Sequence, residues 1–290
     1  MSAPPKQRFD VAARRWVFVV SLAAVIFAIP SVASAGPWTK APGEVYVKAS
    51  ELLFRSDTYV AASGERVSGT DYLALTSAVY AEVGLTERLH FQGFFPWAFT
   101  RNEFTEIDTR YANVGLGDAI VGLQVTPIKL EIPYAVRVNA KLPLYDVAAI
   151  DGPEAEMFPA LGDGQVDVTT WLSVGGSLYP KPIYFLGEIG WRHRTEIFWG
   201  EGSGMEFGDG LTFNGQVGYT FKERVLVAGN VNGIYSFADD AITQSFVTLG
   251  PTVAVFLKHG LALEAGASPM VWSRNNSPGT TYSLGVSYSR

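Results

Sequence analysis

The feature that most constrains this chain is the regular alternation of apolar and polar residues in long segments. In the stretch LTFNGQVGYTF, from Leu211 to Phe221, odd positions are apolar or glycine and even positions are polar or glycine. A period of two predicts a strand with one apolar and one polar face. In a soluble sandwich the apolar face would pack on a protein core, whereas in a transmembrane barrel it would face lipid.

Strand-like segments recur from residue 44 to the end of the chain, and no stretch shows sustained helical periodicity. We place them at 44–54, 71–84, 88–100, 114–126, 134–144, 165–179, 183–195, 211–221, 225–236, 243–257, 261–273 and 281–290. Many of these segments are longer than the usual globular strand of about 5–6 residues. They are long enough to cross a bilayer when tilted.

The connections between these segments differ in length according to their order. The connections 86–88, 179–182, 222–224 and 258–260 follow even-numbered strands and are tight, whereas those after odd-numbered strands, such as 145–164 and 196–210, are longer and polar. Bacterial transmembrane barrels have short periplasmic turns and longer external loops. We therefore predict an all-β fold, a transmembrane antiparallel up-and-down β-barrel of about 12 strands with both termini periplasmic.

The first 35 residues have the pattern of a secretory signal. Four basic residues precede the apolar stretch 16–29, and Ala33–Ala35 (ASA) supplies a small-residue cleavage site. The alternative is an uncleaved anchor, for which the apolar stretch is short. We predict that residues 1–35 are cleaved and that 36–290 form the barrel domain. Cleavage would change the formal net charge from −6 to −9, which argues against nucleic acid as a partner.

Strand parity predicts which side chains face the lumen and which face lipid. The predicted lumen-lining residues are Lys48, Glu82, His90, Asp118, Arg137, Asn139, Lys141, Asp167, Glu188, Arg192 and Glu264. Aromatic residues near strand ends fit interfacial girdles: Trp97, Trp191, Tyr219, Phe221, Tyr235, Tyr282 and Tyr288. The inward charges have two interpretations: they select a solute in an aqueous conduit, or they pair across the lumen and largely close it.

Several stretches resemble one family. They are GLTERLHFQGFFPW (84–97), VGLGDAIVGLQV (114–125), LGDGQVDVTTWLSVGGSLYPKPIYFLGEIGWRHR (161–194) and GYTFKERVLVAGNVNG (218–233). These look like repeated patterns of outer-membrane barrels described as transporters or phenol-degradation meta-pathway proteins. The resemblance implies a closed outer-membrane barrel that passes small, often apolar compounds, and it brings no catalytic residues or cofactor.

Enzymatic chemistry is the less favoured alternative. A lipid-acting barrel enzyme would place His and Ser two residues apart on one strand face. His90, His193 and His259 are followed two residues later by Gln92, Thr195 and Leu261, and only Thr195 carries a hydroxyl. A Ca²⁺ site could be drawn from Asp151, Glu154, Glu156 and Asp163, but their spacing is not that of a known calcium loop, which favours a solvated acidic loop. We predict no enzyme activity, metal or cofactor.

The sequence thus predicts a channel or facilitator for small, hydrophobic or aromatic solutes in a Gram-negative outer membrane. We expect transport to be passive, because the sequence shows no nucleotide-binding loop. Its other partners would be outer-membrane lipid and the barrel-assembly machinery. The alternatives are a non-conducting surface anchor that uses its long loops and a lipid-acting enzyme. Apolar loop residues could contact a solute, constrict the mouth or cluster together: Met157, Phe158, Phe198, Trp199, Met205 and Phe207.

Overall fold

The computed structural model describes residues 36–128, 130–145, 157–198, 207–238, 240 and 243–290, so the predicted signal at 1–35 lies outside it. Its strands are β1 (Val45–Val60), β2 (Arg66–Thr86), β3 (Leu89–Phe104), β4 (Thr109–Leu116), β5 (Asp118–Val125), β6 (Tyr134–Pro143), β7 (Gln165–Ser177), β8 (Ile183–Phe198), β9 (Gly210–Phe221), β10 (Val225–Ser236), β11 (Ser245–Phe256), β12 (Leu261–Arg274) and β13 (Thr280–Ser289). Within those ranges, no helix has the length and apolar character needed to span a membrane.

The sheet closes on itself as an antiparallel barrel. Apart from β4 and β5, each strand pairs with its sequence neighbours, and β13 pairs with β1 to complete the ring. β4 and β5 both pair with β3, where Trp97 is opposite Leu116 and Phe94 is opposite Ile120. β4 and β5 therefore occupy the place of a single barrel strand that is interrupted at Gly117. Counted in this way, the barrel has twelve strands. The predicted all-β, twelve-strand antiparallel barrel is confirmed.

The two faces of the wall have opposite character. On β3, His90 and Gln92 are buried inside, whereas the alternating Phe95 and Trp97 are 49% and 54% exposed on the outer surface. On β9, Val217 is 59% exposed on the same outer surface. The interior is polar and the exterior is an apolar belt, as in transmembrane barrels and unlike a soluble protein with an apolar core.

Glu51 departs from this pattern. On β1 it is paired in register with Leu284 of β13 and Ser77 of β2, and Leu284 is 66% exposed on the outer surface. Both carboxylate oxygens of Glu51 lie 2.8 Å from the Ser77 hydroxyl. A carboxylate therefore lies on the outer apolar belt with a serine hydroxyl as its hydrogen-bond donor.

The first two external connections are shorter than the sequence predicts. β1 and β2 extend beyond the predicted strands to a turn at 61–65, and β3 and β4 extend to a turn at 105–108. These extensions carry polar residues on both faces, so they lack the one-sided apolar pattern that identified the other strands. On the opposite side, the connection 126–133 is longer than a tight turn.

We call the two ends of the barrel the turn rim, with connections 87–88, 178–182, 222–224 and 257–260, and the loop rim, with 144–164, 199–209 and 237–244. β1 begins and β13 ends at the turn rim, where the Val45 amide donates to the Arg290 carbonyl at 2.7 Å. The loop rim thus carries the longest connections of the chain.

Candidate conduit and its two constrictions

A hydrogen-bonded band crosses the middle of one wall. Glu188 of β8 accepts from Arg137 of β6 at 3.1 Å, from the Ser173 hydroxyl at 2.5 Å and from the Asn214 amide at 2.8 Å. The Arg137 guanidinium also lies 5.0 Å from the ring centre of Trp171, which faces the interior on β7. Four strands, β6 to β9, are therefore linked through one buried carboxylate.

The opposite wall holds a smaller charged group. Lys48 of β1 forms an ion pair with Glu264 of β12, and the Tyr46 hydroxyl donates to the other oxygen of Glu264 at 3.3 Å. Between the two charged regions lies an uncharged series. Tyr184 donates to Gln216 at 2.5 Å, and the Gln216 amide donates to Asn230 at 2.5 Å. The lumen therefore presents polar groups around its circumference, and most of them have partners.

The segment 36–40 enters the barrel at the turn rim and lies inside it. The Gly36 carbonyl accepts from the Gln124 side chain of β5 at 3.0 Å, and Pro37 is fully buried beside Gly175 of β7. The hydroxyls of Thr39 and Thr126 are 2.6 Å apart. We call residues 36–40 the strap, because they run along the inside of the wall from β2 and β3 to β7.

A buried ionic contact holds the strap at Lys40, its last residue. The Lys40 ammonium lies 3.6 Å from a Glu82 carboxylate oxygen, and both side chains are at most 6% exposed. The Lys40 amide donates to Nδ1 of His90 at 3.4 Å. Tyr80 donates to Glu82 at 2.6 Å, so this acid has a second partner. Glu82 and His90, which parity predicted to face the lumen, therefore contact the chain's own N-terminal segment.

A second segment, 157–164, folds inward from the loop rim; we call it the inner loop. The Met157 carbonyl accepts from the Asn102 side chain at 3.1 Å, and the Pro159 carbonyl accepts from Asn113 at 3.3 Å. The ring of Phe158 packs edge-on against Tyr111, with centroids 5.0 Å apart. The Phe158 ring therefore packs against the barrel wall.

An ionic cluster fixes the end of the inner loop to the β6–β8 wall. Asp163 accepts from Lys141 at 2.5 Å and pairs with Arg194, which also contacts Asp167 at 3.0 Å. Lys141 lies 3.4 Å from Asp118 and 3.3 Å from Asp167. Although burial acts to raise the pKa of Asp163, the two cations beside it hold that pKa below its usual value.

A tyrosine completes the attachment of the inner loop. The Tyr145 hydroxyl donates to Asp118 at 2.8 Å and accepts from the Gly164 amide at 2.9 Å. A Cβ atom on Gly162 would lie 2.0 Å from the same hydroxyl oxygen, so only glycine permits this approach. The LGDG stretch (Leu161–Gly164) is therefore an anchor built for close contact with the wall.

The structure brings the eleven predicted lumen residues into distinct groups. Glu82 and His90 lie at the strap; Arg137 and Glu188 form the central pair; Lys48 pairs with Glu264 across from them. Asn139 accepts from Gln92 at 2.9 Å. Asp118, Lys141 and Asp167 join the cluster at the inner loop. Arg192 faces the interior on β8, and among the described residues its guanidinium has no hydrogen bond or ion pair.

Sequence reasoning missed three of the charged participants. Lys40 and Asp163 lie outside the strands, so parity could not assign them a face, and Asp163 is ion-paired rather than part of a solvated acidic loop. Arg194 has the same parity as Arg192 within a predicted strand, so that signal was present in the sequence. Three residues of the hypothetical Ca²⁺ site lie outside the described residues: Asp151, Glu154 and Glu156. Over the residues that the structure does describe, no acid and histidine grouping could hold a metal ion.

The one histidine with a hydroxyl two residues away lies on the outer surface. His193 is 3.0 Å from Asp209, an orienting acid that sequence reasoning did not identify. However, the Thr195 hydroxyl donates to the Val166 carbonyl at 2.8 Å, and in the described part of the chain no hydrogen bond joins it to His193. The geometry provides a His–Asp pair without an activated nucleophile beside it.

Comparison with known proteins shows the same architecture. No family model and no curated sequence relative matches the chain. The crystal structure of an outer membrane channel from Pseudomonas putida F1 is similar with a TM-score of 0.67 and 14% identity, over 90% of this chain and 100% of that one. The chain has the fold of an outer-membrane channel.

Two further solved structures are similar at lower scores. The NanC porin has a TM-score of 0.51 and 11% identity over 84% of this chain and 98% of its own. The translocator domain of the autotransporter NalP from Neisseria meningitidis has a TM-score of 0.50 and 10% identity over 96% and 94% of the two chains. At these identities the likeness concerns the fold.

Proposed function

We propose that this protein is a narrow, passive channel for small solutes in the outer membrane of a Gram-negative bacterium. The observation that carries the proposal is a closed wall, apolar outside and polar inside, whose lumen is narrowed by two of the chain's own segments. In this orientation the turn rim and both termini are periplasmic, and the loop rim faces outward. Insertion would depend on the barrel-assembly machinery after removal of residues 1–35.

The solutes that we propose are small organic molecules with apolar or aromatic groups. Two rings lie beside arginines of the wall that the inner loop covers: Trp171 on β7, 5.0 Å from the Arg137 guanidinium, and Phe207, whose ring centre lies 4.5 Å from the Arg194 guanidinium. The lumen carries charges of both signs, and most of them are paired with each other, which supports weak ion selectivity. No energy-coupling element is needed, because solute would move down its gradient.

A non-conducting scaffold is the second candidate, and the extensive pairing of lumen charges favours it. Such a barrel would use its lumen contacts for rigidity and its loop rim for recognition. The two candidates differ in whether the strap and the inner loop can be removed to reveal a continuous path.

Planar-bilayer recording of protein extracted in detergent from outer membranes tests the proposal. We expect discrete conductance steps for the wild type, and larger steps for a variant lacking residues 36–40. Lys40→Ala should raise the frequency of the larger steps, because it removes the contact with Glu82. Lys222→Ala, at an exposed turn outside the lumen, is the matched control and should behave as wild type. If the variant lacking the strap is folded, by heat-modifiable gel migration, yet silent, the channel proposal fails and the scaffold is favoured.

A further inference from the structure

Among the described residues, Arg192 differs from the other cations of its wall in forming no ion pair or hydrogen bond with an acid. Its neighbours Lys141 and Arg194 share the carboxylates of the ionic cluster, and Arg137 is paired with Glu188. Arg192 faces the lumen between Thr169 of β7 and Gly210 of β9. Within the described residues no acceptor contacts its guanidinium, and its Nε atom is buried. A buried polar group of this kind needs an explanation, because an unsatisfied donor is costly.

Four arginines of the described chain have a buried Nε atom without a hydrogen-bond partner, and a second one of them, Arg137, lies on the same wall as Arg192. Nε of Arg137 is also buried without a hydrogen-bond partner, although its Nη1 atom contacts Glu188. In register, Arg137 is opposite Trp171, and Trp171 is opposite Gly190, two residues before Arg192. Diagonal neighbours of this kind have Cα atoms about 7–8 Å apart, within reach of long side chains. Two guanidinium groups with unused donors therefore flank one lumen-facing indole.

The indole offers an apolar surface between these two donors. A Cβ atom on Gly190 would lie 2.8 Å from Cδ2 of Trp171, so the ring lies over the backbone of β8 at this glycine. The side chain of Trp171 is only partly covered. A planar apolar group can contact an indole edge or face, and a carboxylate can accept two parallel hydrogen bonds from a guanidinium.

We propose that Arg192 and Trp171 form a binding site for small monocarboxylates with a planar, apolar body. Arg192 would hold the carboxylate, and Trp171 would contact the body of the molecule. Arg137, already fixed by Glu188, would add its remaining Nε–H donor. The inference deepens the proposed channel function, since it assigns a solute class to the lumen between the strap and the inner loop.

The chemistry explains why an arginine serves here. Guanidinium is planar, stays protonated and matches a carboxylate with two donors. A neutral amide of the same shape offers one weaker acceptor and an NH₂ group that would oppose the arginine donors. The site should therefore separate an acid from its neutral isostere more strongly than it separates acids of similar shape.

Isothermal titration calorimetry on the detergent-purified protein tests the site without requiring conduction. The probes are benzoate, its neutral isostere benzamide, and acetate, which lacks the ring. We expect benzoate to bind the wild type at least tenfold more tightly than benzamide. Arg192→Gln should weaken benzoate at least tenfold and leave benzamide unchanged, whereas Trp171→Leu should weaken benzoate but not acetate.

Arg88→Gln is the matched control, because it removes the same charge at the turn rim outside the lumen, where Arg88 contacts the Pro127 carbonyl. It should bind benzoate as the wild type does. The inference is overturned if folded wild type does not bind benzoate, if benzamide binds equally well, or if Arg192→Gln retains wild-type affinity. Binding by a protein that is silent in bilayers would reject the channel but not the site, and conduction without benzoate binding would do the reverse.

Discussion

Asp163→Asn should release the inner loop from the wall. The substitution removes the negative charge that Lys141 contacts at 2.5 Å and Arg194 contacts through Nη2. A hydrogen bond to a charged group contributes about 1.5–3 kcal/mol. Both cations keep contact with Asp167, so they are not left without a partner. We therefore expect the local opening free energy to fall by about 2–3 kcal/mol rather than by the sum of two such bonds.

Amide hydrogen exchange at Gly164 measures this opening, because its N–H donates to the Tyr145 hydroxyl at 2.9 Å and is protected only while the inner loop is docked. A loss of 2–3 kcal/mol corresponds to exchange faster by roughly 30- to 150-fold. The amide of Val217 on β9 should not change, which would show that the barrel is intact. Asp57→Asn, at an exposed position of β1, is the control. Exchange at Gly164 within threefold of wild type would refute the assigned role of Asp163.

Three further predictions follow from the faces of the wall and the charge of Asp163. In lipid vesicles, Val217→Arg on the outer belt should lower the free energy of unfolding by about 2–4 kcal/mol. Asn214→Arg is on the same strand as Val217 but faces inward toward Glu188 of β8, and it should change that free energy by less than about 1 kcal/mol. Equal effects of the two substitutions would contradict the assigned register. Glu51→Leu should raise the free energy of unfolding by about 1–2 kcal/mol, because it removes a carboxylate from the belt; a stability loss in urea titrations would count against a lipid-facing Glu51. The pKa of Asp163 in the folded protein is held below its unfolded value of about 3.9. The carboxylate therefore contributes its full stabilisation above about pH 4, and this stabilisation is lost as the pH falls through the lower, folded pKa. Gly164 exchange, corrected for intrinsic rates, should be constant from about pH 5 to 8 and accelerate only in more acidic solution; acceleration near neutrality would exclude this carboxyl as the cause.

Strand parity was most informative where a strand has one apolar and one polar face. It placed Arg137 and Glu188 on the same face, and these two meet in the central pair. It was less informative where both faces are polar, as in the extensions of β1 to Val60 and of β3 to Phe104, because a two-sided polar strand and a loop have the same composition.

Residues outside strands could not be assigned from sequence at all. Lys40 has no strand periodicity, and its contact with Glu82 depends on the strap entering the lumen. Asp163 lies in a loop rich in acids, where solvation is the ordinary expectation. Both residues are placed by contacts between parts of the chain that are distant in sequence, and local pattern carries no information on such contacts.

The sequence by itself determined the architecture. The alternation of apolar and polar residues predicted strands, and the length of the segments predicted that the strands cross a bilayer. The order of short and long connections predicted an up-and-down barrel. Only the tertiary structure decided how the lumen is filled, because the strap and the inner loop reach their positions through long-range ion pairs. The same holds for Arg192. Parity turns it inward, but among the described residues the nearby Asp163 and Asp167 form their ion pairs with Lys141 and Arg194 instead. A local residue pattern specifies which face a side chain occupies, whereas the partner it meets there is set by the closure of the whole ring.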